Sequence, residues 1–136
     1  MDRTVLHMLH EGARRFAEVP YLGRKTDSGW TTRSFSEVEA DSAAFAAALI
    51  GRRFARAQAL AILAEGSPNW VIGELGLLRA GCVSVPLSIQ LLPEEVLFRL
   101  EHSRARALLC SLAQLEKLAP LAGRLRRRRV LVIMLD

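Results

Sequence analysis

One turn in this chain has the form that could bind phosphate. Residues 64–68 (Ala-Glu-Gly-Ser-Pro) follow an apolar run and precede a helical pattern, the position at which backbone amides can bind an anion. The segment contains one glycine and an acid, Glu65, and Pro68 removes an amide. These features favour Ser67 as a helix N-cap over a phosphate cradle. No dinucleotide-binding fingerprint or P-loop occurs in the sequence.

The three histidines offer little metal chemistry. His7, His10 and Glu11 have helical spacing, so two imidazoles could share one face with a metal ion. No further group of ligands supports such a site. His102 follows Glu101 in the predicted last turn of a helix, where a cation is favoured by the helix dipole. A capping role is therefore the better interpretation for His102.

Candidate nucleophiles and aromatic ligand contacts are equally weak. None of the candidate serines lies in a strained turn between glycines or has a His/Asp pair placed to activate it; these are Ser84, Ser88, Ser103 and Ser111. Trp30 and Trp70 are predicted to be packing residues, and Trp70 is expected over a sheet, with a ligand rim or subunit contact as the alternative. The sequence therefore assigns no catalytic, cofactor-binding or metal-binding residue.

Composition indicates one folded domain. The chain has 136 residues, of which 51% are hydrophobic and 24% are charged, as in globular proteins with a substantial core. No apolar run approaches the roughly 18 to 20 residues of a membrane span. The amphipathic N-terminal stretch does not resemble an apolar signal core, which predicts a cytoplasmic protein. Cys82 and Cys110 lie in or beside apolar runs and are interpreted as buried thiols; no spacing supports a disulfide or redox pair.

The net charge of +5 comes almost entirely from arginine. Arg124 and the run 126–129 form the densest cluster, and basic runs can mark contact with nucleic acid or an anionic membrane. No aromatic residue is interleaved and no recognition helix is evident. A solvent-exposed loop before the apolar run 130–134 is therefore favoured, with a basic nucleic-acid-binding domain as the alternative.

These side chains must be positioned by a regular succession of elements. An amphipathic helix is predicted from Val5 to Phe16, a β-hairpin over 20–32, and a helix that starts at the capping box Ser34–Glu37 and ends near Gly51. Four strand-like runs then alternate with three helical patterns. The strands are predicted at 59–63, 82–85, 107–110 and 130–134, and the helices at 67–80, 93–102 and 112–121.

This alternation determines the expected fold class. Nearly unbroken apolar strands with short connections predict an α/β fold, in which a parallel sheet of about four strands has helices on both faces. By analogy with flavodoxin-like folds, the expected strand order is 2-1-3-4.

Several segments, in order, resemble the adenylate-forming (AMP-binding) enzymes and most closely their long-chain acyl-CoA synthetases. The similar segments are 20–22, 30–38, 46–49, 59–63, 67–70 with Glu74 and Gly76, 80–87, 93–96, 100–103 and 105–108. The tryptophan at position 70 is similar to the long-chain branch. Two local departures are Ala57-Gln58, where the family usually has Gly-Asp, and Leu92, where a small or hydroxyl residue often precedes the proline.

The resemblance implies that residues 1–136 form a single N-terminal subdomain, a scaffold within a larger adenylate-forming domain. The full-length enzyme would use ATP, Mg²⁺ and coenzyme A to activate a fatty acid and transfer it to the thiol. The family's phosphate loop, its adenine and magnesium motif, its ribose-binding Asp and its catalytic Lys have no counterpart in this sequence. No catalytic residue is therefore carried over, no cofactor is expected in this piece, and it is predicted to be inactive alone.

The expected partners follow from the same resemblance. They are the rest of its own chain, a second copy in a homodimer, and a fatty acid substrate of the full-length enzyme. No nucleic acid is expected, and membrane association would be at most peripheral. A stand-alone small α/β binding or regulatory module is the competing hypothesis; it would need an acidic cluster or phosphate loop at the carboxyl ends of the strands.

Overall fold

The computed structural model describes residues 4–136, which form thirteen short elements. The N-terminal part comprises α1 (Val5–Arg15), the strands β1 (Pro20–Thr26) and β2 (Gly29–Ser34), and α2 (Phe35–Gly51). The remainder alternates strands and helices: β3 (Ala59–Leu63), α3 (Pro68–Arg79), β4 (Val83–Pro86), α4 (Pro93–Ser103), β5 (Ala107–Cys110), α5 (Leu112–Leu118), a 3₁₀ turn (Ala119–Leu121), α6 (Ala122–Arg127) and β6 (Leu131–Met134).

The main sheet has four parallel strands in the order β4-β3-β5-β6. Numbered along the chain, this is the predicted order 2-1-3-4, and the predicted α/β class is confirmed. β1 and β2 form the predicted antiparallel hairpin, in which Thr26 pairs with Gly29 across a two-residue turn. Gly29 has a φ of 122°, a backbone region that glycine adopts readily and other residues rarely.

Local sequence explains where the helices begin. The Ser34 hydroxyl accepts a hydrogen bond from the Glu37 backbone amide, and the Glu37 carboxylate accepts one from the Ser34 backbone amide. The predicted capping box is therefore present. Leu92 cannot cap α4 with its side chain, but the Glu95 carboxylate accepts the Leu92 amide at 2.8 Å. The departure at Leu92 is thus compensated by the acid three residues later.

Helices cover the sheet on both faces. One face carries α4, α5 and α6, whose leucines pack against Ala61, Leu63 and Leu108. The opposite face carries α2 and α3 over Leu60, Ile62 and Leu109. α2 and α3 approach closely at Gly76, where an added Cβ would lie 2.6 Å from the Phe45 ring, so this position has room only for glycine. A third, smaller cluster joins α1 and the hairpin to α2 and α3.

Three local predictions need correction. The arginines of the basic run do not all lie in a loop, because α6 continues through Arg127 and the connection to β6 is shorter than expected. Trp30 is 70% exposed on the hairpin and is not a packing residue. The second strand of the sheet begins at Val83, after Cys82, and includes Pro86. Trp70 is half-buried against the α2/α3 face of the sheet, as predicted.

No helix within residues 4–136 is long and apolar enough to cross a bilayer.

Candidate functional site

A crevice lies at the carboxyl ends of the strands, where ligands bind in open α/β sheets. β3 and β5 are neighbours, but the chain leaves β3 for β4 on one side and leaves β5 for β6 on the other. The loops after these strands therefore diverge and leave an opening of about 630 Å³. Its walls are formed by the loop after β3, the start of α5, the residues after β6 and one arginine of the hairpin: Ala64, Glu65, Gly66, Ser67, Ser111, Leu112, Ala113, Leu135, Asp136 and Arg24.

Glu65 is the central polar group of this carboxyl crevice. Its two carboxylate oxygens accept hydrogen bonds of 2.5 Å from the Ser111 hydroxyl and from the Gln114 side-chain amide. The Ser111 hydrogen bond contributes most to lowering the pKa of Glu65, followed by the Gln114 hydrogen bond, and Lys117 contributes through its charge. Glu65 is therefore held ionised with both oxygens engaged, so it ties the β3 loop to α5 rather than offering a free base.

The turn over residues 64–68 is arranged as a helix cap. The Ser67 hydroxyl accepts the Trp70 amide at 3.1 Å, and Pro68 occupies the first turn of α3. The Ser67 oxygen thus serves as a cap acceptor, and the ionised carboxylate of Glu65, two residues before it, would repel a phosphate. This geometry supports the predicted cap and offers no anion cradle.

The four candidate serines all have structural partners. Ser84 donates to the Glu74 carboxylate at 2.5 Å, Ser103 donates to the Arg99 carbonyl at 2.7 Å, and Ser88 accepts the Gln90 amide. Together with Ser111, they form no hydrogen bond to a histidine in the part of the chain that the structure describes. The structure does not bring them together into a nucleophilic site.

The histidines also lie apart. His10 Nδ1 lies 3.3 Å from a Glu39 carboxylate oxygen, and Arg79 donates to the other oxygen at 2.6 Å. This network between α1, α2 and α3 was missed by sequence reasoning, since its members are far apart along the chain. His102 lies in the last turn of α4 and stacks on Phe98 at 5.8 Å between ring centroids. Residues 4–136 contain no group of three or more His, Cys, Asp or Glu residues that could hold a metal ion.

Both cysteines are buried and free. Burial raises the pKa of Cys82, and burial together with the negative charges of Glu65 and Asp136 raises the pKa of Cys110 to about 11. Such a thiol is protonated at neutral pH and is a poor nucleophile. The interpretation of both cysteines as small core hydrophobes agrees with the structure.

A second feature is the open edge of the sheet at β6. Each face of this strand borders an apolar groove. The groove beside α6 has a volume of about 380 Å³ and includes Leu118, Leu125, Val130 and Val132. The groove beside α2, of about 240 Å³, includes Phe45, Leu49, Leu131 and Ile133. Within residues 4–136, β6 has one strand neighbour, β5, so its outer backbone groups are available for pairing.

Comparison with known proteins places this geometry in context. A nonribosomal peptide synthetase of Aspergillus fumigatus is 55% identical over 38 residues, which are 28% of this chain and 2% of that protein. A long-chain-fatty-acid–CoA ligase of Mus musculus is 33% identical over 84 residues, which are 60% of this chain and 13% of the ligase. The chain thus spans only a small part of the curated relatives it matches.

Solved structures share the whole fold. The anthranilate CoA ligase AuaEII, in complex with anthranoyl-AMP, superimposes with a TM-score of 0.82 at 23% identity, over 98% of this chain and 25% of that chain. A benzoate CoA ligase of Burkholderia xenovorans gives 0.79 at 22% identity, over 95% of this chain and 25% of that one. The N-terminal subdomain of NpsA from Klebsiella oxytoca gives 0.77 at 21%, over 98% and 30%.

At these identities the structural likeness concerns the fold alone. The sequence evidence reaches further, since a model of the family described as "AMP-binding enzyme" matches residues 9–136, nearly the entire chain. This chain belongs to the AMP-binding enzyme family and has the fold of the N-terminal domains of adenylate-forming enzymes.

Proposed function

We propose that this chain is the N-terminal scaffold of an ATP-dependent acid–thiol ligase whose substrate is a long-chain fatty acid. The observation that carries the scaffold role is the β6 edge, an apolar strand with one strand neighbour and an apolar groove on each face. Such an edge is stable in water when further strands or helices cover it. The rest of a longer ligase chain would provide that cover.

The carboxyl crevice supports a scaffold role in a second way. Both oxygens of Glu65 are engaged, by Ser111 and Gln114, and the Ser67 oxygen accepts the Trp70 amide hydrogen as a helix cap. Glu65 would have to break its two hydrogen bonds before its carboxylate could act on a substrate. These residues do not fit the phosphates of ATP, because an acid and a proline occupy the turn where free amides would be needed. ATP, Mg²⁺ and coenzyme A would bind elsewhere in the full-length enzyme.

The preference for a long fatty acid rests on sequence similarity. The mouse relative named a long-chain-fatty-acid–CoA ligase is 33% identical over 84 residues, and Trp70 lies where the resemblance to the long-chain branch is found. Other relatives carry names that specify benzoate or anthranilate. The identity of the acid is therefore tested directly.

The test is carboxylate-dependent exchange of pyrophosphate into ATP by the full-length protein, with palmitate, benzoate and anthranilate offered separately. We expect exchange with palmitate to exceed exchange with either aromatic acid, and no exchange by residues 1–136 alone. Preference for an aromatic acid would contradict the long-chain assignment. Exchange by residues 1–136 alone would contradict the scaffold role.

A pair of variants in the full-length protein tests the role of the β6 edge. Val132→Lys places a charge in the groove beside α6, whereas Phe98→Lys alters an exposed ring on α4. We expect Val132→Lys to lower the yield of folded enzyme and its exchange with every acid by a similar factor, with little effect from Phe98→Lys. A selective change in the KM for one acid would indicate a substrate-binding role instead.

A further inference from the structure

Positive charge is concentrated at one end of the main sheet. The amino edge, defined as residues 52–58, 80–82, 104–106 and 128–130, comprises the segments that precede the four parallel strands. It contains no acidic residue and seven arginines, all exposed: Arg52, Arg53, Arg56, Arg104, Arg106, Arg128 and Arg129. The carboxyl crevice at the opposite end contains the acids Glu65 and Asp136. The net charge of +5 is thus distributed unevenly along the strand direction.

Backbone hydrogen bonds hold the segments of the amino edge side by side. The Arg106 amide donates to the Ala59 carbonyl at 3.0 Å, and the Leu131 amide donates to the Arg106 carbonyl at 3.0 Å. The Ala57 amide donates to the Gly81 carbonyl at 2.8 Å. Neighbouring strands are therefore spaced by about 4.8 Å, so arginines that are distant in sequence share one continuous surface.

Three of these arginines occupy a backbone region that favours glycine. Arg53 follows α2, Arg104 follows α4 and Arg129 follows α6, with φ values of 62°, 55° and 55°. Glycine is the usual residue at this position after a helix because it has no Cβ to clash. The helix dipole stabilises a cation near the C-terminus of a helix. An arginine inside the last helical turn would gain the same stabilisation without adopting a positive φ. The dipole therefore does not explain why arginine recurs at the strained position.

The charges of the amino edge are largely uncompensated. Within residues 4–136, Arg128 is the only one of the seven arginines with an ion pair, to Glu101 at 2.7 Å. Arg124, Arg127 and Arg128 also line a small groove of about 280 Å³ beside this edge. Guanidinium groups bind phosphate oxygens through paired, planar hydrogen bonds, so the surface has the chemistry to bind several phosphates together.

We propose that the amino edge is a docking surface for an anionic lipid membrane. Its arginines come from three of the four segments, those that precede β3, β5 and β6, and these strands are neighbours in the sheet. Such a spread fits a two-dimensional array of headgroups. The only aromatic residue in these segments, Phe54, packs against the core. The amino edge therefore presents no aromatic ring on which a nucleic-acid base could stack. The helices present their C-terminal ends at this edge rather than a side face that could enter a DNA groove. The proposal is independent of the ligase activity.

The test is flotation of the full-length protein with vesicles of phosphatidylcholine, with and without phosphatidylserine. The edge variant, Arg53→Gly, Arg104→Gly and Arg129→Gly, removes three charges where glycine relieves strain, so we expect a melting temperature no lower than that of the parent. Since each basic residue near an anionic surface contributes about fivefold, we expect the vesicle affinity to fall on the order of 100-fold at low salt. The control variant, Arg24→Gln, Lys25→Gln and Arg33→Gln, removes the same charge from the hairpin and should lose less than about fivefold.

Several results would overturn the proposal. They are failure of the parent to bind phosphatidylserine vesicles at low salt, an equal loss of binding in both variants, and tighter binding to DNA than to vesicles at the same salt concentration. If the edge variant melts at a lower temperature, flotation is repeated with Arg56→Gln and Arg106→Gln. These two residues are exposed and have negative φ values, so a loss of roughly 25-fold is expected from them.

Discussion

The adjacent strands β5 and β6 have almost the same chemistry and different environments. β5 is Ala-Leu-Leu-Cys and β6 is Leu-Val-Ile-Met, and they pair residue for residue in parallel. All four residues of β5 are buried at 0% exposure, whereas the first three of β6 are half-buried and Met134 is 41% exposed. Hydrophobicity alone does not distinguish them. Their difference arises from position, because β5 lies between two strands and β6 lies at the edge.

The comparison shows what kind of surface the β6 edge is. A strand at a solvated edge commonly carries charged residues or proline that prevent pairing with other chains. The other edge strand, β4, ends in Pro86 and contains Ser84, whereas β6 has neither proline nor a polar residue. The sequence of β6 is therefore suited to burial on both faces.

The largest expected effect comes from truncating matched leucines on the same face of the sheet. Leu109→Ala in β5 removes a fully buried side chain and should lower the free energy of unfolding by about 3 kcal/mol, while Leu131→Ala in β6 should lower it by about 1 kcal/mol. Urea unfolding of residues 1–136 measures both values. Equal losses of unfolding free energy in the two variants would contradict the difference in burial between β5 and β6. Sedimentation provides the control, since association of two copies would bury β6.

A smaller effect is expected where β5 is tied to the β3 loop. Ser111→Ala removes a hydrogen bond to the Glu65 carboxylate and should cost about 1 kcal/mol near neutral pH. Because this bond lowers the pKa of Glu65 from its ordinary 4.5, the stabilisation is present above 4.5. It is lost as the pH falls through the lower, folded-state pKa.

Chemical denaturation across this pH range measures the Ser111→Ala effect. Ser103→Ala is the control, since the Ser103 hydroxyl donates to the carbonyl of Arg99, which does not titrate. In acid the stability of Ser111→Ala should converge on that of the parent, whereas the difference between Ser103→Ala and the parent should stay constant. An unchanged Ser111→Ala effect below the folded-state pKa of Glu65 would show that the bond to the ionised carboxylate is unimportant.

The last prediction concerns the chemical reactivity of two sulfur atoms, one in β5 and one in β6. Cys110 at the end of β5 pairs in register with Met134 of β6. Cys110 is buried with a pKa of about 11, so it should resist alkylation until the chain unfolds. Met134 is exposed and should be oxidised readily by peroxide. Peptide mass spectrometry follows both reactions, and alkylation of Cys110 at the rate of an unfolded thiol would contradict its burial.

Much of the architecture was predictable because it depends on local patterns. The capping box at Ser34, the helix start at Pro68, the hairpin and the alternation of apolar strands with helices were all confirmed. The strand order followed by analogy of fold and was also confirmed. The prediction for Trp30 failed because an aromatic residue in a hairpin indicates a strand, while its burial depends on which elements pack against that strand.

The polar contacts of the site could not have been predicted. Glu65 binds residues 46 and 49 positions away in the sequence, and Glu39 binds Arg79 across 40 positions. Sequence spacing has no information about such pairs, since they form only when the sheet brings separate loops together. The arginines of the amino edge are another case: the run 126–129 is visible in the sequence, but its grouping with Arg53 and Arg104 is not.

By itself, then, the sequence determined the family, the fold class and the beginnings and ends of most elements, because hydrophobic periodicity and helix capping act over a few residues. Only the tertiary structure decided that β5 is buried while β6 is open, that Glu65 is engaged, and that seven arginines share one end of the sheet. Those properties depend on which segments become neighbours. The parallel pairing brings Ala107 beside Leu60, 47 positions earlier in the chain, and beside Leu131, 24 positions later, and no local pattern specifies that proximity.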